Sequence, residues 1–162
     1  MTQQEVINQE SNEESNKESS AELVTMSIGG QMFGIPVLQV HDILGRQKIT
    51  PIPLAPSEVA GALNLRGRIV TAIDVRRRLN MPPLEDGDEG MSVVVGLDNE
   101  LYSLIIDKVG EVITFSSDLF ERVPSTLDPR WREVAAGIYR QEEGTLVLLN
   151  IERLLNLSQA AA

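Results

Sequence analysis

The chain has 162 residues, with 24 acidic and 14 basic side chains, one histidine and no cysteine. This length suits one compact domain or two very small ones. The net charge of −10 argues against a nucleic-acid binder, since such proteins neutralise phosphates with lysine and arginine. The lack of cysteine excludes disulfides and thiolate chemistry, and a single histidine excludes a multi-histidine metal site, so no cofactor or metal is predicted.

Residues 1–22 form an acidic tail that contains six glutamates and one lysine. This tail has too few apolar side chains to offset the entropy lost on ordering, so it is predicted to be disordered. Its first residues lack the basic start and apolar run of a secretory signal. No segment of the chain reaches the roughly 18 consecutive apolar residues that span a bilayer. The sequence therefore predicts a cytoplasmic protein without direct membrane insertion.

Short runs of Val, Ile and Leu begin at Leu23 and are separated by Gly, Pro and Asp. Residues 24–28 alternate apolar and small side chains, which is the period of a half-buried strand. Residues 33–43 continue as extended chain, but Pro36 has no N–H to donate, so this segment is expected to lie at a sheet edge or to bend there. Further strands are predicted at residues 68–73, 92–97, 101–106, 109–114 and 145–149.

Helices are predicted to be few and short, at residues 57–63, 74–80, 129–136 and 151–157. Asp74 and Asn150 precede two of them, where a side-chain oxygen can accept from free backbone N–H groups at the N-cap. Many short strands with few helices are typical of small β-barrels.

An internal repeat divides the chain. Residues 33–43 align with residues 102–112, and residues 69–77 align with residues 145–153, where a strand runs into a capped helix in both copies. A connector rich in Pro, Gly and acidic residues, at 82–90, separates halves at about 23–81 and 91–157. Each half is marginal for a core of its own. We therefore expect two similar barrels packed on each other, and exchange of a strand between them stays open.

Charged side chains offer little catalytic chemistry. His41 is the only imidazole and would point away from Asp42 on a strand, which predicts a solvent-facing histidine. The acidic residues of the connector lack the spacing of a calcium loop. Arg76, Arg77 and Arg78 are expected to cover the exposed face of a short helix. Arg66 is predicted to lie in a turn between a helix and a strand and to contact a partner, because arginine is enriched in interfaces.

Four ordered motifs stand out along the chain. Residues 61–70 read Gly-Ala-Leu-Asn-Leu-Arg-Gly-Arg-Ile-Val and are followed by Ala-Ile-Asp-Val-Arg at 72–76. Residues 40–43 read Val-His-Asp-Ile, and residues 105–112 read Ile-Ile-Asp-Lys-Val-Gly-Glu-Val. The last motif is residues 148–155, Leu-Leu-Asn-Ile-Glu-Arg-Leu-Leu. Together these motifs resemble the CheW family of bacterial chemotaxis coupling proteins, and the resemblance extends from about residue 23 to residue 157.

The resemblance implies a mainly β fold of two five-stranded SH3-like barrels around a shared hydrophobic core, with short helices. It implies one CheW-like domain at residues 23–157, followed by a C-terminal tail at 158–162. It also implies a non-catalytic adaptor that links the cytoplasmic tip of methyl-accepting chemoreceptors to the regulatory domain of the histidine kinase CheA, recruited from the cytoplasm to membrane receptor arrays. Because linked sites raise avidity, micromolar pairwise contacts would suffice, and a monomer is expected outside arrays.

Site residues follow from the resemblance position by position. Receptor contacts are implied for Arg66, Val37, Ser103, Val109 and Val112, and kinase contacts for Val40, Asp42, Ile43 and Gly61. How these contacts divide between the two partners stays open. Thr71 stands where the family often has proline, and Ser103 where glycine is common.

Three alternatives remain at this point. One is a CheW-type scaffold in a chemosensory-like pathway that does not control motility. Another is a small β-barrel enzyme that uses Asp and Glu side chains, and the last is a fragment of a kinase whose C-terminal domain shares the fold. The partner receptor, the partner kinase, the signal and the role of the acidic tail are not encoded in any motif of this chain.

Overall fold

The computed structural model describes residues 20–85 and 90–156. Within these ranges the strands are β1 (Ser20–Ile28), β2 (Gln31–Pro36), β3 (Val40–Leu44), β4 (Val59–Leu65), β5 (Arg68–Asp74), β6 (Met91–Leu97), β7 (Glu100–Ile106), β8 (Lys108–Ser116), β9 (Phe120–Glu121), β10 (Ala135–Gln141) and β11 (Gly144–Leu149). The α-helices are α1 (Val75–Arg78), α2 (Pro129–Arg132) and α3 (Ile151–Leu154), and 3-10 turns lie at Val37–Gln39 and Ser117–Leu119. None of the helices in the described ranges is long and apolar enough to cross a membrane.

The strands form two sheets that mix the two halves of the chain. One sheet has the order β8-β1-β2-β11-β10-β9 and the other the order β3-β6-β7-β5-β4; we call them the six-stranded and the five-stranded barrel. The hairpin β1–β2 of the first half pairs with β8 and β11 of the second half, and the hairpin β6–β7 of the second half pairs with β3 and β5 of the first. The sequence halves are therefore not the barrels, because the halves exchange whole hairpins.

A shared hydrophobic core lies between the barrels, as predicted. Buried side chains from both sheets meet there, among them Met26 and Phe33 of the six-stranded barrel and Val93 and Leu104 of the five-stranded barrel. Trp131 of α2 packs on Phe33 with ring centroids 5.6 Å apart. Each barrel also has a smaller interior cluster. Fully burying one such aliphatic or aromatic side chain stabilises the fold by about 1.5–3 kcal/mol, so this core holds the two barrels together.

Most predicted strands are confirmed, with shifts at their ends. β1 begins at Ser20, so residues 20–22 belong to a strand and not to the predicted disordered tail. The rest of that tail, residues 1–19, lies outside the described residues, as do residues 86–89 of the connector and residues 157–162. The extended segment 33–43 is two strands, and Pro36 ends β2 between two paired neighbours, so it marks a bend and not a sheet edge.

Two helix predictions were wrong in the same way. Residues 57–63 contain good helix formers, yet Val59–Leu65 is strand β4, paired with β5 from Val59 to Leu65. The predicted helix at 129–136 ends at Arg132, and Ala135–Gln141 is strand β10 between β11 and β9. In both places tertiary pairing overrides intrinsic helix propensity.

The two predicted N-caps are confirmed. The side chain of Asp74 accepts from the Arg77 N–H at 3.2 Å, and that of Asn150 accepts from the Arg153 N–H at 3.0 Å. The capped helices α1 and α3 are one turn long and therefore depend on these caps and on burial of Val75 and Ile151 for their stability.

Candidate functional site

Arg66 lies at the tip of the β4–β5 hairpin, in a turn between two strands rather than between a helix and a strand. It adopts a left-handed backbone conformation with φ +52°, and Gly67 follows with φ +86°. The side chain of Asn64 accepts from the Gly67 N–H at 2.9 Å and holds the turn. The Arg66 side chain is 81% exposed, so the turn presents a cation on a fixed backbone.

Asp42 lies on β3, an edge strand of the five-stranded barrel, and contacts this arginine. Arg66 Nη2 lies 3.0 Å from Asp42 Oδ2. Asp42 Oδ2 is buried and has no hydrogen-bond partner among the described residues. Asp42 Oδ1 accepts from the Ile43 N–H at 2.9 Å. The pair is thus an ion pair that brings the two edge strands of the sheet, β3 and β4, together at this end.

A row of paired residues runs across the five-stranded sheet and contains three predicted site residues. Asp42 pairs with Val94, Val94 with Ser103, Ser103 with Ala72, and Ala72 with Gly61. Ser103 is fully buried and its Oγ has no hydrogen-bond partner. Ser103 therefore offers no side-chain surface to a partner, and a substitution there would act through the barrel interior.

Gly61 is also buried, and its role is visible in the backbone. It has φ +150°, and a Cβ at this position would overlap the carbonyl oxygen of Thr50. Thr50 and Ala62 exchange two backbone hydrogen bonds of 2.8 Å, which tie the loop after β3 to β4. A glycine is required here because the loop passes directly over the strand.

The predicted apolar contacts divide into exposed and half-buried side chains. Val112 of the edge strand β8 is 54% exposed and Ile43 of β3 is 41% exposed, so both present apolar surface. Val37, Val40 and Val109 are half-buried and pack on the shared core. The structure brings Arg66, Asp42 and Ile43 together on the five-stranded barrel. Val109 and Val112 lie on the six-stranded barrel.

Sequence reasoning missed the exposed surface around Arg66. Ile69, three residues further along, is 73% exposed, and Leu38 is 94% exposed in the 3-10 turn before β3. Leu38, His41 and Arg68 line one side of a cleft of about 400 Å³ whose other side is the β6–β7 turn. His41 is exposed, as predicted. This apolar surface beside a cation is typical of a protein contact and not of a catalytic pocket.

Two of the arginines that follow Asp74 are structural, which corrects the predicted solvent-facing triplet. Arg76 donates to Asp107 from Nε at 2.8 Å and from Nη2, and to the Pro82 carbonyl at 2.7 Å. Asp107 is the single residue between β7 and β8, where the chain crosses from one barrel to the other, and it also accepts from the Gly29 N–H at 2.8 Å. Burial raises the pKa of Asp107, but the Arg76 and Gly29 hydrogen bonds outweigh it, so the pKa lies below its usual value. This ion pair fastens the barrels at the crossing.

Arg78 joins the equivalent helices of the two halves. Its side chain is 10% exposed and donates to the carbonyls of Leu154, at 2.9 Å, and Arg153, at 3.0 Å. These carbonyls lie at the C-terminal end of helix α3, where the Arg153 carbonyl also accepts from the Asn156 N–H at 3.2 Å, and a buried cation is favourable at this end of a helix. Arg77, between the two structural arginines, is exposed and pairs with Asp74.

The described residues hold no group of three or more His, Asp or Glu side chains arranged to bind a metal ion. The arrangement instead combines a fixed cation, exposed aliphatic side chains and sheet edges, which are features of docking surfaces.

Comparison with known proteins gives one family. The model of the family described as the CheW-like domain matches residues 22–159. The chain is 32% identical over 139 residues to the chemotaxis protein CheW of Treponema pallidum, covering 83% of this chain and 82% of that protein. It is 27% identical over 135 residues to the chemotaxis protein CheW of Bacillus subtilis, covering 83% and 86%. It is also 28% identical over 122 residues to protein PilI of Pseudomonas aeruginosa, covering 74% and 67%.

A solved structure shares the fold. The crystal structure of the scaffolding protein TtCheW from Thermoanaerobacter tengcongensis matches with a TM-score of 0.76 at 24% identity, covering 85% of this chain and 94% of that chain. The six-stranded sheet exceeds the predicted five strands by the two-residue strand β9. Two small barrels around a shared core are thus the fold expected from the sequence. Since the family model matches most of its length, this chain belongs to the CheW-like domain family.

Proposed function

We propose that this chain is a non-catalytic adaptor that couples methyl-accepting chemoreceptors to the histidine kinase CheA in chemotaxis signalling. The observation that carries the proposal is the match to the CheW-like domain over residues 22–159. The relatives named chemotaxis protein CheW support it, and the exposed, ion-paired Arg66 supplies a contact of suitable chemistry. The chain would act in the cytoplasm and join receptor arrays at the membrane.

We assign the site residues to two contact surfaces. Arg66, with Val37, Val109 and Val112, is assigned to the tip of the receptor, and Ser103 supports this set from the barrel interior. Val40, Asp42 and Ile43 are assigned to the regulatory domain of the kinase, and Gly61, which is buried, supports this set by letting the loop after β3 pass over β4. Because Asp42 holds Arg66 at 3.0 Å, the two surfaces adjoin at this ion pair. Outside arrays we expect a monomer with micromolar pairwise affinities.

The test is reconstituted autophosphorylation of the kinase from ATP on receptor-bearing membranes, with and without this chain. We expect strong stimulation that Arg66→Glu abolishes, because the substitution reverses the charge of the exposed contact. Arg140→Glu is the matched control, since Arg140 is a 66% exposed arginine on the other barrel. No stimulation by the wild-type chain with matched partners would refute coupling, and stimulation that survives Arg66→Glu would refute the arginine contact alone.

A second function is a scaffold in a chemosensory-like pathway that does not control motility. The match to protein PilI, whose name is not that of a chemotaxis protein, supports this second function. Deletion of the gene separates the two functions. Loss of directed swimming supports the first, whereas normal swimming with another surface or developmental defect supports the second.

A further inference from the structure

Leu54 lies in a backbone conformation that leucine rarely adopts. Among the described residues other than glycine, left-handed φ values occur at Asn and Asp positions and at Arg66 and Leu54, with φ +63° for Leu54. Asn and Asp tolerate this region, whereas a leucine Cβ clashes with the following carbonyl. Strained residues of this kind cluster at functional sites. Arg66 is one of the two, and it is the proposed receptor contact.

The turn around Leu54 is rigid. Leu54 follows Pro53 in a turn closed by the Ala55 N–H, which donates to the Ile52 carbonyl at 3.4 Å. This is the pattern of a turn with proline at the second position and glycine or asparagine at the third, where this chain has leucine. Prolines at 51 and 56 flank the turn, and the Thr50–Ala62 hydrogen bonds anchor it to β4. Because the turn is already fixed, the Leu54 side chain can bind a partner without the loss of entropy that ordering a flexible loop would cost.

No packing of the Leu54 side chain within the described residues offsets the strain of its backbone conformation. It is fully exposed, and Ile52, two residues earlier, is 41% exposed. An asparagine or glycine would make the same turn without strain and without apolar surface in water. A leucine at this position is explained if the side chain is buried in a complex.

We propose that Leu54 is an anchor that inserts into an aliphatic-lined pocket of the kinase-side partner. This inference rests on the proposed function. Its loop directly follows β3, which carries the kinase-assigned Val40, Asp42 and Ile43, and is bonded to β4 at Ala62, so it continues the surface assigned to the kinase. One protruding leucine beside one half-exposed isoleucine fits a concave pocket, since anchors in pockets carry most of the affinity at protein interfaces. A bilayer requires a larger apolar face with basic flanks.

The experiment measures binding of the full chain to the isolated regulatory domain of the CheA kinase from the same genome, together with thermal unfolding. Leu54→Asn is expected to weaken binding at least tenfold. The same variant is expected to raise the Tm by about 2–4 °C, because asparagine relieves the left-handed strain. Leu119→Asn is the control, since Leu119 is a 47% exposed leucine on the six-stranded barrel. It should change neither quantity.

Opposite signs in the two measurements support the anchor, because a merely structural residue would lose binding and stability together. Unchanged binding of Leu54→Asn, with the wild-type chain binding, overturns the anchor and leaves the proposed function intact. A change in self-association by sedimentation instead of in kinase binding also overturns it, in favour of a second copy as the occupant. Failure of the wild-type chain to bind the domain overturns the kinase contact and the anchor together.

Discussion

Gly61→Ala should destabilise this protein far more than Gly144→Ala, although both glycines have similar backbone angles. Gly61 has φ +150° and Gly144 has φ +138°. A Cβ at Gly61 would overlap the backbone of Thr50, whereas a Cβ at Gly144 would meet nothing within 4 Å. The pair of variants therefore separates backbone strain, which both share, from the steric clash, which only Gly61→Ala creates.

The difference can be worked from the contacts. Strain from an alanine at such a φ costs about 1–3 kcal/mol at either position. The clash at Gly61 must also move Thr50, whose two hydrogen bonds with Ala62 are each worth about 0.5–1.5 kcal/mol. We therefore expect the free energy of unfolding to fall by about 1–3 kcal/mol more for Gly61→Ala than for Gly144→Ala.

Urea unfolding followed by tryptophan fluorescence measures both variants. Trp131 is the only tryptophan and is 4% exposed in the shared core, so its emission reports global unfolding. Equal destabilisation of the two variants, with equal m-values, would refute the close approach of the loop and β4. It would also leave Gly61 free to act as a direct partner contact, which its burial here argues against.

Three further predictions concern the charged pairs. Asp107→Asn should lower the free energy of unfolding by about 1–3 kcal/mol at pH 7, since the carboxylate accepts charged hydrogen bonds. The folded-state pKa of Asp107 is lowered from 3.8, so the stability that its carboxylate contributes is present above pH 3.8 and is lost as the pH falls through the folded-state pKa. Urea titrations in which Asp107→Asn loses as much stability at pH 3 as at pH 7 would contradict the ion pair. Arg78→Ala should lower the Tm by at least about 3 °C in calorimetry, whereas the exposed neighbour Arg77→Ala should change it by less than about 1 °C, and equal shifts would argue against the link to α3. A double-mutant cycle of Asp42→Asn and Arg66→Ala should give a coupling of about 0.2–1 kcal/mol that falls in high salt, and a salt-independent coupling would show that the pair is shielded from water.

Much of the fold follows from local patterns in the sequence. Period-2 alternation located β1, short runs rich in Val, Ile and Leu located β5, β6, β7, β8 and β11, and a polar side chain after a strand located both capped helices. Strands β4 and β10 were missed because their Ala and Gly residues carry no strand preference. They are strands only because β5 and β11 lie beside them.

The candidate site was predicted less completely than the fold. Arg66 was found because a long cation stands between Leu65 and Gly67, a sign of a turn that presents its side chain. The partner of this arginine, Asp42, lies on a strand at the other edge of the sheet, and no local pattern encodes that closure. Arg76 and Arg78 look like surface charges in the sequence, and only the tertiary fold supplies the carboxylate and carbonyls that bury them.

The exchange of hairpins restricts motion of one barrel relative to the other. Strands β1 and β2 complete a barrel whose other strands belong to the second half, and β6 and β7 do the same in the opposite direction. Moving one barrel against the other would therefore strain the two chain crossings, one of which is fastened by Asp107. The shared core fills the space between the barrels and resists the same motion. Residues on the two barrels, such as Val112 and Arg66, thus keep a fixed relative position, and this suits the proposed adaptor because it would hold two partners in one geometry.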